Sequence, residues 1–145
     1  MKKTNALFST SLLLSAFFVS GLATADVNII PTTPSSQDLI ITVTSLSDQE
    51  ETTVENGVKH HAKLFILNIF NTTDKPLSFA TKNGCFKAEN EDGSVSITQK
   101  IIDPEILKVL PPKGESRGYA VFSTKDTSVL KTNYVIWSTN CSYHK

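Results

Sequence analysis

The regular alternation of apolar and polar residues constrains the fold of this chain more than any other feature. Leu39, Ile41 and Val43 alternate with polar residues from Gln37 onward, and Ile40 is the one apolar residue on the polar side. A repeat of two residues places apolar side chains on one face of a β-strand, whereas a helix repeats every 3.6 residues. Similar segments recur between polar turns, and no useful length of helical periodicity interrupts them. The pattern predicts an all-β protein.

About seven to eight short strands are predicted in total. Beyond the first, the pattern places strands at residues 58–71, 77–81, 85–88, 95–102, 118–122 and 134–141. Residues 47–57, rich in Asp and Glu, are predicted to form a loop. Asp92-Gly93 is a strong hairpin signal, and after it Val95, Ile97 and Ile101 are expected to point inward. Short strands joined by polar turns predict a β-sandwich.

The two cysteines and the tryptophan refine this class. An antibody-type domain has its cysteines on the second and sixth strands and a tryptophan on the third. Here Cys141 lies on the last predicted strand, with Trp137 beside it. The sequence therefore predicts an immunoglobulin-like or fibronectin type III-like sandwich without the antibody signature.

The first 25 residues have the pattern of a secretory signal peptide. Lys2 and Lys3 precede a short apolar stretch, which ends in Ala23-Thr24-Ala25. Cleavage between Ala25 and Asp26 would leave residues 26–145, a single domain of 120 residues. No later stretch approaches the roughly 20 apolar residues of a membrane span. We expect an exported, periplasmic or secreted protein with no membrane insertion.

Charge argues against a nucleic-acid partner. Of the 14 basic residues two would leave with the signal peptide, so that 12 remain against 14 acidic ones. The basic residues are scattered along the chain rather than clustered, which gives no electrostatic footprint for nucleic acid or anionic lipid.

An exported chain with an even cysteine count predicts a disulfide between Cys85 and Cys141. This bridge would close a loop of 57 residues. The chain-entropy model gives such a loop a stabilisation of about 4 kcal/mol. Two separately buried thiols are the alternative. The bridge would hold the final strand close to the chain end.

One motif suggests a hydrolase, but its setting does not fit one. Gly114-Glu-Ser116-Arg-Gly118 matches G-x-S-x-G, and Asp126 and His144 follow in the order of an α/β-hydrolase. That nucleophile elbow needs a strand, a sharp turn and a helix. Ser116 instead follows a proline loop and precedes a strand pattern, so we predict no catalytic residue.

Three further patterns are too weak to predict a metal, cofactor or modification site. His60 and His61 are adjacent, and neighbouring residues on a strand point to opposite faces, so the two rings cannot easily bind one metal ion together. An inward-facing His60 could still sense pH. The acidic loop of Glu89, Glu91 and Asp92 lacks the spacing of a calcium loop. The formal glycosylation sequons begin at Asn71 and Asn140.

The run from Leu64 to Phe70 is apolar on both strand faces. Such a strand is covered on both sides or contains a bulge. If its second face is not covered by the chain's other sheet, that face is a partner surface or a dimer seam. The proline-rich arm from Asn28 to Pro34 could reach a neighbouring molecule, which makes a strand-exchanged homodimer a reasonable form of that seam.

Several motifs have to be taken together: the signal peptide and residues 64–76, 83–86, 110–116 and 137–141. In this combination the chain resembles a known family, the small secreted enterobacterial proteins that include the interleukin receptor mimic protein. It implies a fibronectin type III-like sandwich, a strand-exchanged homodimer and binding of host interleukins. Cytokine receptors carry a W-S-x-W-S box, of which only Trp137-Ser138 is present, so the resemblance carries over no binding residue.

We therefore expect a non-catalytic protein-binding module, with host interleukins as its partners. The alternative is a periplasmic chaperone-like or envelope-assembly protein with an unknown partner. Sheet edges and loops of a sandwich suit either function.

Overall fold

A computed structural model describes residues 30–46 and 51–141 of the chain, without the side chains of residues 51–53. The predicted signal peptide, its Ala25–Asp26 cleavage boundary and His144 lie outside the described residues. In the part of the chain that is described, no helix is long and apolar enough to cross a membrane.

Seven antiparallel strands make up the described part of the chain. They are β1 (Leu39–Ser45), β2 (Glu51–Glu55), β3 (Val58–Asn71), β4 (Cys85–Glu89), β5 (Ser96–Ile102), β6 (Glu115–Thr124) and β7 (Tyr134–Ser138). Short 3₁₀ segments occur at Ser36–Asp38 and Thr127–Lys131. The order across the sheet is β1-β3-β6-β5-β4-β7, and β2 pairs with the first part of β3. The all-β class is confirmed.

Strand β5 turns this one sheet into two layers. Its first half, Ser96–Thr98, pairs with β4, and its second half, from Gln99 to Ile102, pairs with β6. The chain thus passes from the layer of β4 and β7 to the layer of β1, β3 and β6. The two layers face each other across one hydrophobic core.

Aromatic rings fill the middle of that core. Phe65 of β3 meets Phe122 of β6 with ring centroids 5.8 Å apart, and both side chains are fully buried. From the other layer, Phe86 and Trp137 lie 5.0 Å apart in an edge-to-face arrangement. Phe79, which comes from a connecting segment, contacts both of these rings. Edge-to-face pairs of this kind add stability beyond the area they bury.

Two assignments were wrong, and the last predicted strand is shorter than residues 134–141, since β7 ends at Ser138 and leaves Cys141 outside it. Residues 77–81 are not a strand: Leu77 makes only isolated bridges to Thr32 and Leu110, although Leu77 and Phe79 are buried. Residues 47–57 are not all loop, because β2 occupies Glu51–Glu55. The missed signal is the Asn56-Gly57 pair, since both residues have positive φ, as a tight hairpin turn requires.

The inward orientation expected for Ile101 was also wrong. The β5–β6 register is irregular between Gln99 and Ile101, so one extra residue is inserted into β5. An extra residue reverses the side-chain parity of the strand residues that come after it. Ile101 therefore lies on the outer side, 48% exposed, whereas Ile97 packs against the core as expected.

A disulfide joins Cys85 and Cys141, the pair that the sequence predicts, with Cα atoms 5.8 Å apart. Cys85 begins β4 and lies opposite Ser138, the last residue of β7. The bridge therefore ties the end of the chain to a strand of the same layer, rather than crossing between layers as in antibody domains.

Asn71 organises the loops at one end of the sandwich. Its buried amide donates hydrogen bonds from Nδ2 to the carbonyl oxygens of Lys75 and Pro111, at 2.8 and 2.9 Å. Its Oδ1 accepts from the backbone N–H and the hydroxyl of Thr73. The first residue of this sequon is fully buried and its polar atoms are occupied.

We expect Asn71→Asp to destabilise the protein by about 2 kcal/mol, because a buried carboxylate has no N–H to donate and places its negative charge beside the carbonyl oxygens of Lys75 and Pro111. Urea denaturation measures the loss. Asn68→Asp on the exposed side of the same strand is the control and should cost less than about 0.5 kcal/mol. Equal stability of the two variants would contradict this role for Asn71.

Candidate functional site

One face of the central strand β3 is covered and the other is not. Phe65, Leu67 and Ile69 are fully buried in the core. On the opposite face Leu64 and Ile66 are only half-buried. Phe70 on that face is 38% exposed. The sequence predicted either cover on both faces or a bulge in this strand. The pairing of β3 with its neighbours is regular, without a bulge, and one apolar face stays partly open.

The uncovered apolar residues form a continuous cluster across three strands. In the sheet register Ile66 of β3 lies opposite Tyr119 of β6, and Leu64 lies opposite Val121. Val121 in turn lies opposite Ile101 of β5, which the irregularity turns outward. We call these five residues the outer apolar face. Tyr119 and Ile101 are 39% and 48% exposed.

A polar row divides this face from a second apolar pair. Thr42, Asn68 and Arg117 lie side by side on β1, β3 and β6. Beyond them Ile40 lies opposite Phe70, and Phe70 lies opposite Glu115. Among the described residues, neither Arg117 nor Glu115 forms a salt bridge. Both charges are therefore available to a partner.

A polar cleft of about 420 Å³ opens where β5 leaves β6. Its lining residues are His60, Ser94, Val95, Ser96, Ile97, Ser123, Thr124, Lys125, Asp126 and Ser128. Hydrogen bonds from Ser128 hold the pKa of Asp126 below its usual range. Some groups of this cleft are paired: Thr124 Oγ1 donates to the Asp126 carbonyl oxygen, and Ser96 Oγ donates to Glu89, which lies outside the lining. Among the described residues the buried Ser123 Oγ has no hydrogen-bond partner.

The residues of the hydrolase motif lie far apart. Ser116 lies near the start of β6, paired with Ile69, with no turn and helix after it. Asp126 lies beyond the other end of β6, and the strand between them spans about 26 Å. This arrangement does not assemble a nucleophile with an acid partner.

The His60-His61 pair and the acidic loop were weighed as metal sites and not predicted to be such. Within the described residues no group of three His, Cys, Asp or Glu side chains could hold a metal ion. In the acidic loop each carboxylate has its own partner: Glu89 accepts from Ser96, Glu91 from Asn133 and Asp92 from the Ser94 N–H.

Lys63 lies on the same side of β3 as the buried Phe65, at the start of that row. Its Nζ contacts the carbonyl oxygens of Leu130 and Thr132, and it lies 5.0 Å from the Phe65 ring centroid. Burial lowers the pKa of Lys63. These contacts attach β3 to the 3₁₀ segment before β7, which is a structural role.

The proline-rich arm lies against its own chain where it is described. Thr32 exchanges backbone hydrogen bonds with the Pro76–Ser78 segment, and Pro34 is fully buried. Residues 28 and 29 of the arm lie outside the described residues. The exchange of this arm between two molecules stays a prediction.

Comparisons with known proteins add a fold relationship. No protein-family model matches the chain, and no curated protein gives a significant match. Among solved structures, an ApaG protein from Pseudomonas aeruginosa is similar, with a TM-score of 0.63 and 19% sequence identity. The similarity covers 74% of this chain and 100% of the ApaG chain. At this identity the likeness concerns the fold alone, and it supports the fibronectin type III-like sandwich.

The sequence located only part of the outer apolar face. Residues 64–70 are apolar at both odd and even positions, which pointed to β3 as a strand with two apolar faces. The sequence around Tyr119, Val121 and Ile101 shows no comparable pattern. Tyr119 and Val121 can be assigned to the outer apolar face only when the β3–β6 register is known. Ile101 can be assigned to it only when the inserted residue in β5 is known.

Proposed function

We propose that this protein is a secreted, non-catalytic protein-binding module whose outer apolar face docks a partner protein, and that host interleukins are its partners. The observation that carries the proposal is the uncovered face of β3. A soluble domain normally avoids a contiguous exposed apolar patch, and such a patch on a sheet is typical of an interaction surface.

The composition of the face suits a protein partner. Its apolar centre of Leu64, Ile66 and Tyr119 is bordered by the polar row that ends in Arg117. Protein interfaces have this arrangement of an apolar centre and a polar rim. Tyrosine and arginine are also enriched among the residues that contribute most binding energy. The choice of interleukins as the partner proteins rests on the family resemblance.

The absence of catalysis is part of the same proposal. It is supported by the separation of Ser116, near the start of β6, from Asp126, beyond its other end. A periplasmic chaperone-like or envelope-assembly function remains the alternative. That function would also use an apolar face, so the location and partner of the protein distinguish the two.

Both points are open to direct test. Protein purified after export is passed over immobilised purified interleukins, and cell fractions are probed for the protein. We expect saturable binding to at least one interleukin and protein in the culture medium. If all the protein stays in the periplasm of intact cells and no saturable interleukin binding is measured, the proposal is wrong and the periplasmic alternative is favoured.

Charge placed on the face should weaken this binding without unfolding the domain. We expect Ile66→Lys and Tyr119→Lys each to weaken interleukin binding by at least about tenfold, because a lysine at the centre of an apolar interface loses hydration without a partner. Val54→Lys is the control, since Val54 is 71% exposed on β2, away from the face. Unchanged affinity in folded Ile66→Lys and Tyr119→Lys proteins would exclude this face.

A further inference from the structure

The strands β1 and β7 are the two ends of the sheet order. Within the described residues β1 pairs along its whole length with β3 and with no other strand. In the same part of the chain β7 pairs only with β4. Because the sheet folds into two layers, these two edges lie beside each other on one side of the sandwich, with a groove between them.

The register shows which backbone groups of β1 point out of the sheet. The Thr72 N–H donates to the Asp38 carbonyl oxygen, which makes Asp38 and Thr72 a hydrogen-bonded pair. In an antiparallel ladder such pairs alternate, so the even positions of β1 bond to β3. The N–H and C=O groups of Leu39, Ile41 and Val43 therefore point away from β3. Each of these residues also turns its side chain toward the core.

The groove between the edges is lined by uncharged side chains. It has a volume of about 220 Å³, and Leu39 and Ile41 of β1 form one wall. Residues 134–137 of β7 form the other wall, and Ser36 lies at one end. A strand that pairs with β1 would place every second side chain into this groove.

Both edges lack the features that usually block strand addition. Natural edge strands carry lysines, prolines or inward-pointing charges. Neither Leu39–Ser45 nor Tyr134–Ser138 contains a charged residue or a proline. Both are rich in β-branched and aromatic residues, which favour strand pairing.

We propose that the β1–β7 edge binds an extended segment of a partner protein by strand addition. The outward row of backbone donors and acceptors on β1 is complementary to another strand, and the groove selects uncharged apolar side chains at alternate positions. This site is separate from the outer apolar face, because Ile41 and Ile66 lie on opposite sides of their layer.

A peptide pool tests the proposal. The probe is a pool of fluorescent peptides of about seven residues, a typical strand length, in which threonine alternates with Val, Ile, Leu or Phe. The control pool carries a central proline, which has no N–H to donate to the ladder. We expect saturable binding of the first pool and at least about tenfold weaker binding of the second.

Variants locate the binding. Ile41→Lys places a charge in the groove and should weaken binding of the pool by at least about tenfold, whereas Ile40→Lys on the other side of the same strand should leave it unchanged. Ser36→Lys, at the exposed end of the groove, repeats the test in case Ile41→Lys does not fold by circular dichroism. Ile66→Lys should keep peptide binding, which separates this site from the proposed function.

Three results would overturn the proposal. They are the absence of saturable binding, equal binding of the proline pool, and equal losses from Ile40→Lys and the groove variants. Light scattering adds a fourth: a homodimer that Ile41→Lys dissociates and that the peptide pool does not would show that the edge is occupied by a second copy.

Discussion

Replacement of Phe86 by alanine is expected to lower the free energy of unfolding by about 3–5 kcal/mol, the usual cost of removing a buried aromatic ring. Phe86 is fully buried and contacts the rings of Phe79 and Trp137, at centroid distances of 5.5 and 5.0 Å. The variant loses these contacts and leaves a cavity between the two layers. A small domain has only about 5–15 kcal/mol in total, so much of its stability would be lost.

The matched control is Phe70→Ala on the uncovered face. Phe70 is 38% exposed and lies on the side of β3 that faces away from the core. We expect its removal to cost about 1 kcal/mol or less, because little cavity forms. Urea denaturation of both variants measures the difference. Similar losses would mean that the second face of β3 is covered, in contradiction to the described architecture.

Removal of the disulfide is expected to cost about 4 kcal/mol. Cys85 and Cys141 are 56 positions apart, and in the chain-entropy model a bridge over such a loop strongly restricts the unfolded chain. The double variant Cys85→Ala/Cys141→Ala should therefore unfold at much lower urea concentration. Reduced wild-type protein is the control that separates loss of the bridge from loss of the buried Cys85 sulfur.

Two results would contradict this prediction. If wild-type protein exported from the cell contains two free thiols by mass spectrometry, the bridge plays no part in its stability. If the bridge is present but its reduction leaves the urea midpoint unchanged, the β4–β7 pairing holds the chain end without it.

The parts of the fold that depend on local pattern could be predicted from the sequence. The bounds of β3 match the predicted strand at residues 58–71, which rested on the alternation that starts at Val58 and on the polar turn after Asn71. The first core face is given by the alternation of Leu39, Ile41 and Val43. The Asp92-Gly93 hairpin between β4 and β5 results from turn chemistry, and Gly93 has the positive φ that this turn needs.

The parts that depend on register could not be predicted. Ile101 faces outward because of an inserted residue in β5, which leaves no mark in the apolar pattern. Leu77 and Phe79 look like strand residues because both are buried, yet they pack into the core from a segment with almost no ladder bonds. The outer apolar face combines residues from three strands, so no single segment reveals it.

The outer apolar face is proposed to contact a partner protein. Hydroxyl-radical footprinting measures this most directly, because it reports side-chain exposure in the unmodified protein. Tyr119 and Phe70 are aromatic, partly exposed and on the relevant side of the sheet. With a bound interleukin in saturating amount, we predict that oxidation of Tyr119 slows at least about fivefold, to the low level of a buried aromatic side chain. Unchanged oxidation of Tyr119 in a saturated complex, with protection elsewhere, would contradict the account.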